Sequence, residues 1–355
     1  MRSVNEGRPG IERAAASISP LRQTNQTNFA TLPAMTNVTR REFLQNASLT
    51  ALAAPLTATP LLRAGTSASG APGKPQVKFP TSPRDRIAVA SYPFRELVAG
   101  QHDDKSAAAK KLALKEFPAH VAAKFGIHKI EPWSEHFLST DAAYLDEIRN
   151  AAAKSGTSFV NIAADNPDSL YSPDAAVRER ATQFCKRWID VAAHLGSPSI
   201  RLNIRVVNDI KPEAAPLVER IKGIAAYTAF KNVVMHLEND NPISEDPFFV
   251  AALLDKINSP WVRALPDFGN SVVALPAEDA YRGLDEMFAH AYAISHVKDG
   301  EVNSANNVAR VDIPRVFAIA KKNSYKGFFS MEYELNGDPY AGTSNLIEGT
   351  VKNLS

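Results

Sequence analysis

Four side chains of the kinds that hold metals or move protons close apolar runs in the C-terminal half of the chain. They are Glu238 in MHLEND, Asp267 in RALPDFGNS, His296 in ISHVKD and Glu332 in FSMEYE. Each is the first strongly polar group after several apolar residues, and successive members stand roughly 30 residues apart, about one βα unit. Singly, each has a bland reading: a loop acid for Glu238 or Glu332, a turn or helix cap for Asp267, a hydrogen-bonded core histidine for His296. Together they predict one site. Three carboxylates within a few Å of one another cannot all stay ionised without a counter-charge, and a divalent cation supplies it. Three oxygens with one imidazole nitrogen suit Mn²⁺ first, with Co²⁺, Zn²⁺ or Mg²⁺ as alternatives; the lack of thiolates speaks against a structural zinc site.

Alternation along a strand puts His236 on the face of Glu238, Lys298 on that of His296 and Glu334 on that of Glu332. One step toward the strand tip from His296, Lys298 can reach a substrate oxygen. In the first half of the chain Glu131, Trp133 and His136 follow an apolar run, and Arg201 and Asn203 lie within another. An aromatic wall with a few polar groups suits a sugar.

Strands and helices have to bring these groups together. Eight short apolar runs, 86–94, 126–133, 157–165, 199–205, 232–240, 262–270, 293–300 and 327–334, predict strands. Amphipathic stretches predict helices over 106–124, 139–155, 173–195, 213–230, 246–257, 277–290 and 312–323, with a last one after Tyr340. Eight strands alternating with eight helices predict an α/β protein, a single-domain (β/α)8 TIM barrel, whose strand tips converge on one mouth. The alternative, a doubly wound open sheet, lacks a Gly-x-Gly-x-x-Gly phosphate loop after any strand.

The chain has 355 residues, 45% of them hydrophobic and 22% charged, as soluble globular proteins do. Forty basic residues against 38 acidic ones, a net charge of +2, give no basic stripe for nucleic acid. The single cysteine, Cys185, excludes an intrachain disulfide and reads as a packed thiol. Near the start, TRREFLQNASLTALAAPLTATPLLRA has an arginine pair, Arg40 and Arg41, before a mild apolar stretch far shorter than a membrane span. It resembles a twin-arginine export signal. The expected organisation is an over-extended start at 1–34, the signal at 35–64, a linker at 65–85 and the barrel at 86–355, in a protein exported to the periplasm.

HLEND, LPDFGN, SHVKDG and SMEYE, in this order, together with ASYPFR, FGIHKIEPWSEHF and LGSPSIRLN, resemble the xylose isomerase-like TIM-barrel superfamily. The likeness is to its sugar phosphate isomerase/epimerase branch and spans residues 86–355. It implies that Glu238, Asp267, His296 and Glu332 bind one divalent metal and that the two glutamates flank the substrate. Asp240 and Asn270 depart from the pattern: many relatives have histidine at the first, and ketose epimerases place a substrate-binding histidine at the second. The expected activity is metal-dependent isomerisation or epimerisation of a sugar through an enediolate, with Glu238 and Glu332 exchanging protons. Lys298, His136, Glu131, Trp133, Arg201 and Asn270 are the expected substrate contacts. An exported protein points away from phosphorylated intracellular sugars, so the alternatives are a metal-dependent lyase or dehydratase on keto-sugars released from glycosides, or a catalytically silent sugar-binding barrel. An apurinic endonuclease would need a richer ligand cluster and a basic surface. The expected partner is a small sugar, with neither nucleic acid nor stable membrane insertion, and oligomerisation is left open.

Overall fold

Short β-branched and alanine-rich runs form the strands, and aspartates and left-handed residues mark the helix ends. A computed structural model of the chain describes residues 73–355 apart from 102, 109, 304 and 305. The expected over-extended start, the export signal and the first part of the linker lie outside the described residues. The strands are β1 (Ile87–Ala90), β2 (Lys129–Glu131), β3 (Ser158–Phe159), β4 (Ala163–Ala164), β5 (Ser199–Leu202), β6 (Val234–Glu238), β7 (Val262–Leu265), β8 (Ile294–Val297), β9 (Gly300–Val302), β10 (Val308–Arg310) and β11 (Phe328–Met331). The helices are α1 (Phe117–Phe125), α2 (Ala142–Lys154), α3 (Ala175–Leu195), α4 (Ala214–Lys231), α5 (Pro247–Ile257), α6 (Asn270–Ala274), α7 (Ala277–His290), α8 (Ile313–Lys322) and α9 (Pro339–Leu354).

Parallel pairing gives two arcs, β3-β2-β1-β11-β8 and β4-β5-β6-β7. Parallel bridges close the ring at two seams, Trp133 with Ala163 and Asp267 with His296. The result is the expected TIM barrel, in which β3 and β4 together serve as the third strand. Aspartates cap several helices that leave the strand tips. Asp174, Asp246, Asp312 and Asp338 accept from Ala176 N, Phe249 N, Arg315 N and Tyr340 N. Gly126, Gly196, Asn232 and Asn258 end helices in the left-handed conformation.

Alternation sorts the strand side chains. Outward residues such as Ile87, Val89, Phe329 and Met331 join the helices in one large buried layer. A smaller apolar cluster of Ala88, Val160, Leu265, Ile294 and Phe328 has Val77 and Phe79 packed against it. The stretch expected to be linker therefore touches the barrel over part of its length. Among the described residues no helix is long and apolar enough to cross a membrane.

One expectation about elements needs correction, and one element was not foreseen. The stretch 106–124 is not one helix: a turn of helix at Lys105–Ala108 is followed by a bridge between Val98 and Leu112, and α1 starts only at Phe117. Pro118 in its first turn lacks an N–H and suits a helix start, while Glu116 accepts from Ala113 N at 2.9 Å. The connection after β8 also carries an antiparallel hairpin, β9 with β10, that the sequence reading did not predict.

Candidate metal centre

Asp267 follows β7 and uses its two oxygens differently. Oδ1 accepts from Gly269 N and Asn270 N, both at 2.8 Å, and so starts α6. Oδ2 is buried without a hydrogen-bond partner. Its nearest cationic atoms are Lys298 Nζ at 3.5 Å and His296 Nδ1 at 3.7 Å. Asn239 fixes the backbone there, donating to Asp267 O at 3.0 Å and accepting from Asp267 N at 2.7 Å. The turn-cap reading and the site reading of Asp267 both hold, one for each oxygen.

The other three groups close around the same spot. His296 Nδ1 lies 2.8 Å from Glu238 Oε1 and 3.0 Å from Glu332 Oε2. One candidate ligand atom from each of Glu238, Asp267, His296 and Glu332 lies within 4.8 Å of the others, and all four residues are buried. Burial pushes the Asp267 carboxyl up to about 8, with Lys298 pulling it down and Glu238 and Glu332 pushing it further up. Glu332 also resists burial, but the His296 and Lys298 charges hold it well below the usual carboxylate range. Burial works against the His296 cation too, yet Glu131, Glu332 and Glu238 raise it well above an ordinary histidine. The residues fit a divalent cation: four donors from different strands converge, and Asp267 Oδ2 has nothing to accept from.

The model of xylose isomerase-like TIM barrels matches residues 119–349. The chain belongs to the xylose isomerase-like TIM barrel family. No curated protein sequence matches it. Solved structures that resemble this family member include a xylose isomerase-like TIM barrel protein from Mycobacterium smegmatis in complex with magnesium. That protein is 16% identical, with 76% of this chain and 97% of that one covered at a TM-score of 0.55. D-allulose 3-epimerase from Methylomonas sp. is 16% identical, with coverage of 78% and 100% and a TM-score of 0.58. The 3-keto-D-glucoside 4-epimerase of E. coli is 11% identical, with coverage of 75% and 99% and a TM-score of 0.55. At these identities the likeness is one of fold.

Above the four groups this family barrel holds a cavity of about 170 Å³. Of the expected substrate contacts, Trp133, Arg201, Asn270 and Lys298 line it, as does Asp240. Arg201 Nε lies 2.9 Å from Glu238 Oε2, close enough for an ion pair though off the hydrogen-bonding axis. Lys298 donates to Asn270 Oδ1 at 3.0 Å and Glu301 Oε2 at 2.9 Å, and stands 3.5 Å from Glu332 Oε2. Glu131 and His136 sit elsewhere. Glu131 is 1% exposed and lies behind His296, its oxygens 3.0 and 3.1 Å from Nε2, with Asn161 donating to it at 2.6 Å. It orients the imidazole and does not face the cavity. His136, fully buried, has Nδ1 2.7 Å from Ser91 Oγ and backs Trp133 edge-on.

Three cavity residues were missed: Tyr92, Asp165 and Arg205. Tyr92 packs edge-on against Trp133 at 4.9 Å. Asp165 accepts from Trp133 Nε1 at 2.7 Å and pairs with Arg201 Nη1. It ends the run TSFVNIAAD as the four ligand-type groups end theirs, so the same signal was available for it.

Proposed function

We propose that this protein is a divalent-metal-dependent sugar isomerase or epimerase that moves a proton next to a carbonyl. The observation that carries the reading is the meeting of Glu238, Asp267, His296 and Glu332 under a polar cavity with an aromatic wall. Structural neighbours named as sugar epimerases support it. In this reading the four residues hold one divalent cation, Mn²⁺ first on the donor set. When bound, the cation supplies a Lewis acid that acidifies a C–H beside a carbonyl.

The chain's own groups then divide the work. Glu238 and Glu332 come from strands with β7 and β8 between them, so they approach a sugar in the cavity from opposite sides. One takes a proton from carbon and the other returns one. Arg201 holds Glu238 from the side away from His296, and Lys298 lies beside Glu332, close enough to share a substrate oxygen. Tyr92 and Trp133 offer an apolar face to the C–H side of the ring, while Asn270 and Asp240 reach its hydroxyls.

The test is exchange with solvent. Metal-loaded protein in D₂O is offered free ketoses and 3-keto sugars, and loss of a C–H proton signal is followed by NMR. Turnover-dependent loss beside the carbonyl is expected with at least one sugar. No exchange with any of them while the metal is bound would overturn the reading.

A further inference from the structure

A second cavity, of about 410 Å³, opens on the same face of the barrel between the loops that follow β4 and β5. It shares no lining residue with the cavity over the four ligand-type groups. Its walls are held in place: Tyr171 OH accepts from Val207 N and donates to Ile210 O, each at 2.9 Å, pinning one loop to the other. The floor is apolar. Leu170 and Leu217 are each 1% exposed, while Ile210, at the rim, is 59% exposed.

The polar side of the cavity is unbalanced. Arg178, Lys211 and Arg220 line it against one carboxylate, Glu213. Arg178 is held by the chain through one nitrogen, Nη1, which donates to Ser172 O at 2.6 Å and Pro173 O at 2.8 Å. Arg220 makes no hydrogen bond or ion pair among the described residues, and its Nε is buried without a partner. A solvated surface arginine would keep that N–H in water. Burial first, and then the charge of Arg178, lower the pKa of Arg220, with Glu179 opposing them. The first turn of α4 adds to the positive field, because its cap residue Glu213 makes no side-chain cap bond there. Two neighbouring guanidinium groups, one with a buried N–H unmatched, are matched by an oxyanion, which takes their planar forks two bonds at a time.

We propose that this cavity is a second ligand site, for a small amphipathic anion. A carboxylate or phosphate sits on Arg220 and Arg178, and the ring or short chain that carries it covers Leu170, Ile210 and Leu217. The site is independent of the proton-transfer reading, since the two cavities have no residue in common.

The experiment titrates the full chain with benzoate, phenyl phosphate, inorganic phosphate and benzyl alcohol, followed by calorimetry and ligand-observed NMR. Saturable binding of one equivalent of benzoate or phenyl phosphate is expected, and the tighter of the two says which oxyanion the site takes. Arg220→Gln should weaken that binding by about 10–100-fold, the worth of a charge-assisted hydrogen bond. Its Tm should be little changed, because the arginine has no hydrogen bond or ion pair among the described residues to lose. Ile210→Ser should weaken the aromatic anions and leave inorganic phosphate as it was. The proposal is overturned if neither aromatic anion binds saturably, if Arg220→Gln binds them as the parent does, or if inorganic phosphate or benzyl alcohol binds as tightly.

Discussion

Asp267 shows at the scale of one residue how structure and site share a side chain, since Oδ1 starts α6 while Oδ2 completes the four-donor cluster. The meeting of these four groups was legible in the sequence because each ends an apolar run, and a closed barrel turns such positions into neighbours. Depth along the barrel axis was not legible. Glu131 also ends a strand, but it pairs across to Ala90 and lies under His296, whereas Asp165 reaches the cavity. Orienting the imidazole from behind gives Glu131 an indirect role, and Glu131→Gln should cost about 10–100-fold in metal affinity with the far-UV spectrum unchanged. Equilibrium dialysis checks it. The two glutamates facing the substrate behave differently in the proposed reaction: Glu238→Gln and Glu332→Gln should each lose about 10²–10⁴-fold in rate while still binding sugar. Near-normal rates in both would remove them as proton carriers and turn attention to Lys298.

Among the elements, the loops at the mouth were harder to foresee than the strands. All eight barrel strands lie within the apolar runs that predict them, because parallel strands buried on both faces read as apolar segments. The β9–β10 hairpin did not stand out, since each strand has only three residues, too few for alternation to show. That hairpin matters to the cavity, as Glu301 on β9 takes a hydrogen bond from Lys298. Gly269, next to α6, lets these side chains pass: a Cβ there would stand 3.0 Å from Lys298 Cδ and 3.3 Å from Glu301 Cβ. Lys298 Cδ can swing aside, whereas Lys298 Cβ at 3.2 Å and Glu301 Cβ move only with their backbone by a few tenths of an ångström, so Gly269→Ala should fold and displace the Lys298 ammonium. A loss of up to about 10²-fold in kcat/KM is expected, with metal content unchanged. Parallel metal analysis and rate measurements check this; metal lost along with the rate would mean that the turn, and with it Asp267, had moved.

For the whole molecule, one of the two seams that close the barrel is the bridge of Asp267 with His296, so closing the ring there brings two of the four ligand-type groups side by side. Buried charge on the mouth side then ties stability to pH. Glu245 is 2% exposed, accepts from Ile204 N at 2.6 Å, and is held well above its usual 4.5 by burial and by Asp240. The folded chain therefore keeps a proton there that the unfolded chain releases above 4.5, so stability falls as pH rises from 4.5 through the folded value. Glu245→Gln should melt at a higher temperature than the parent above that pH, by a margin that grows with pH and vanishes below it; a margin constant across thermal melts from acid to neutral pH would contradict this. The central claim, that Glu238, Asp267, His296 and Glu332 hold one divalent cation, is tested most directly by titrating chelator-treated protein with Mn²⁺ and following the signal of the free ion by electron paramagnetic resonance. One ion bound per chain is predicted, with Asp267→Asn weakening it by more than Glu131→Gln does. No binding, or binding undiminished by Asp267→Asn, would contradict it.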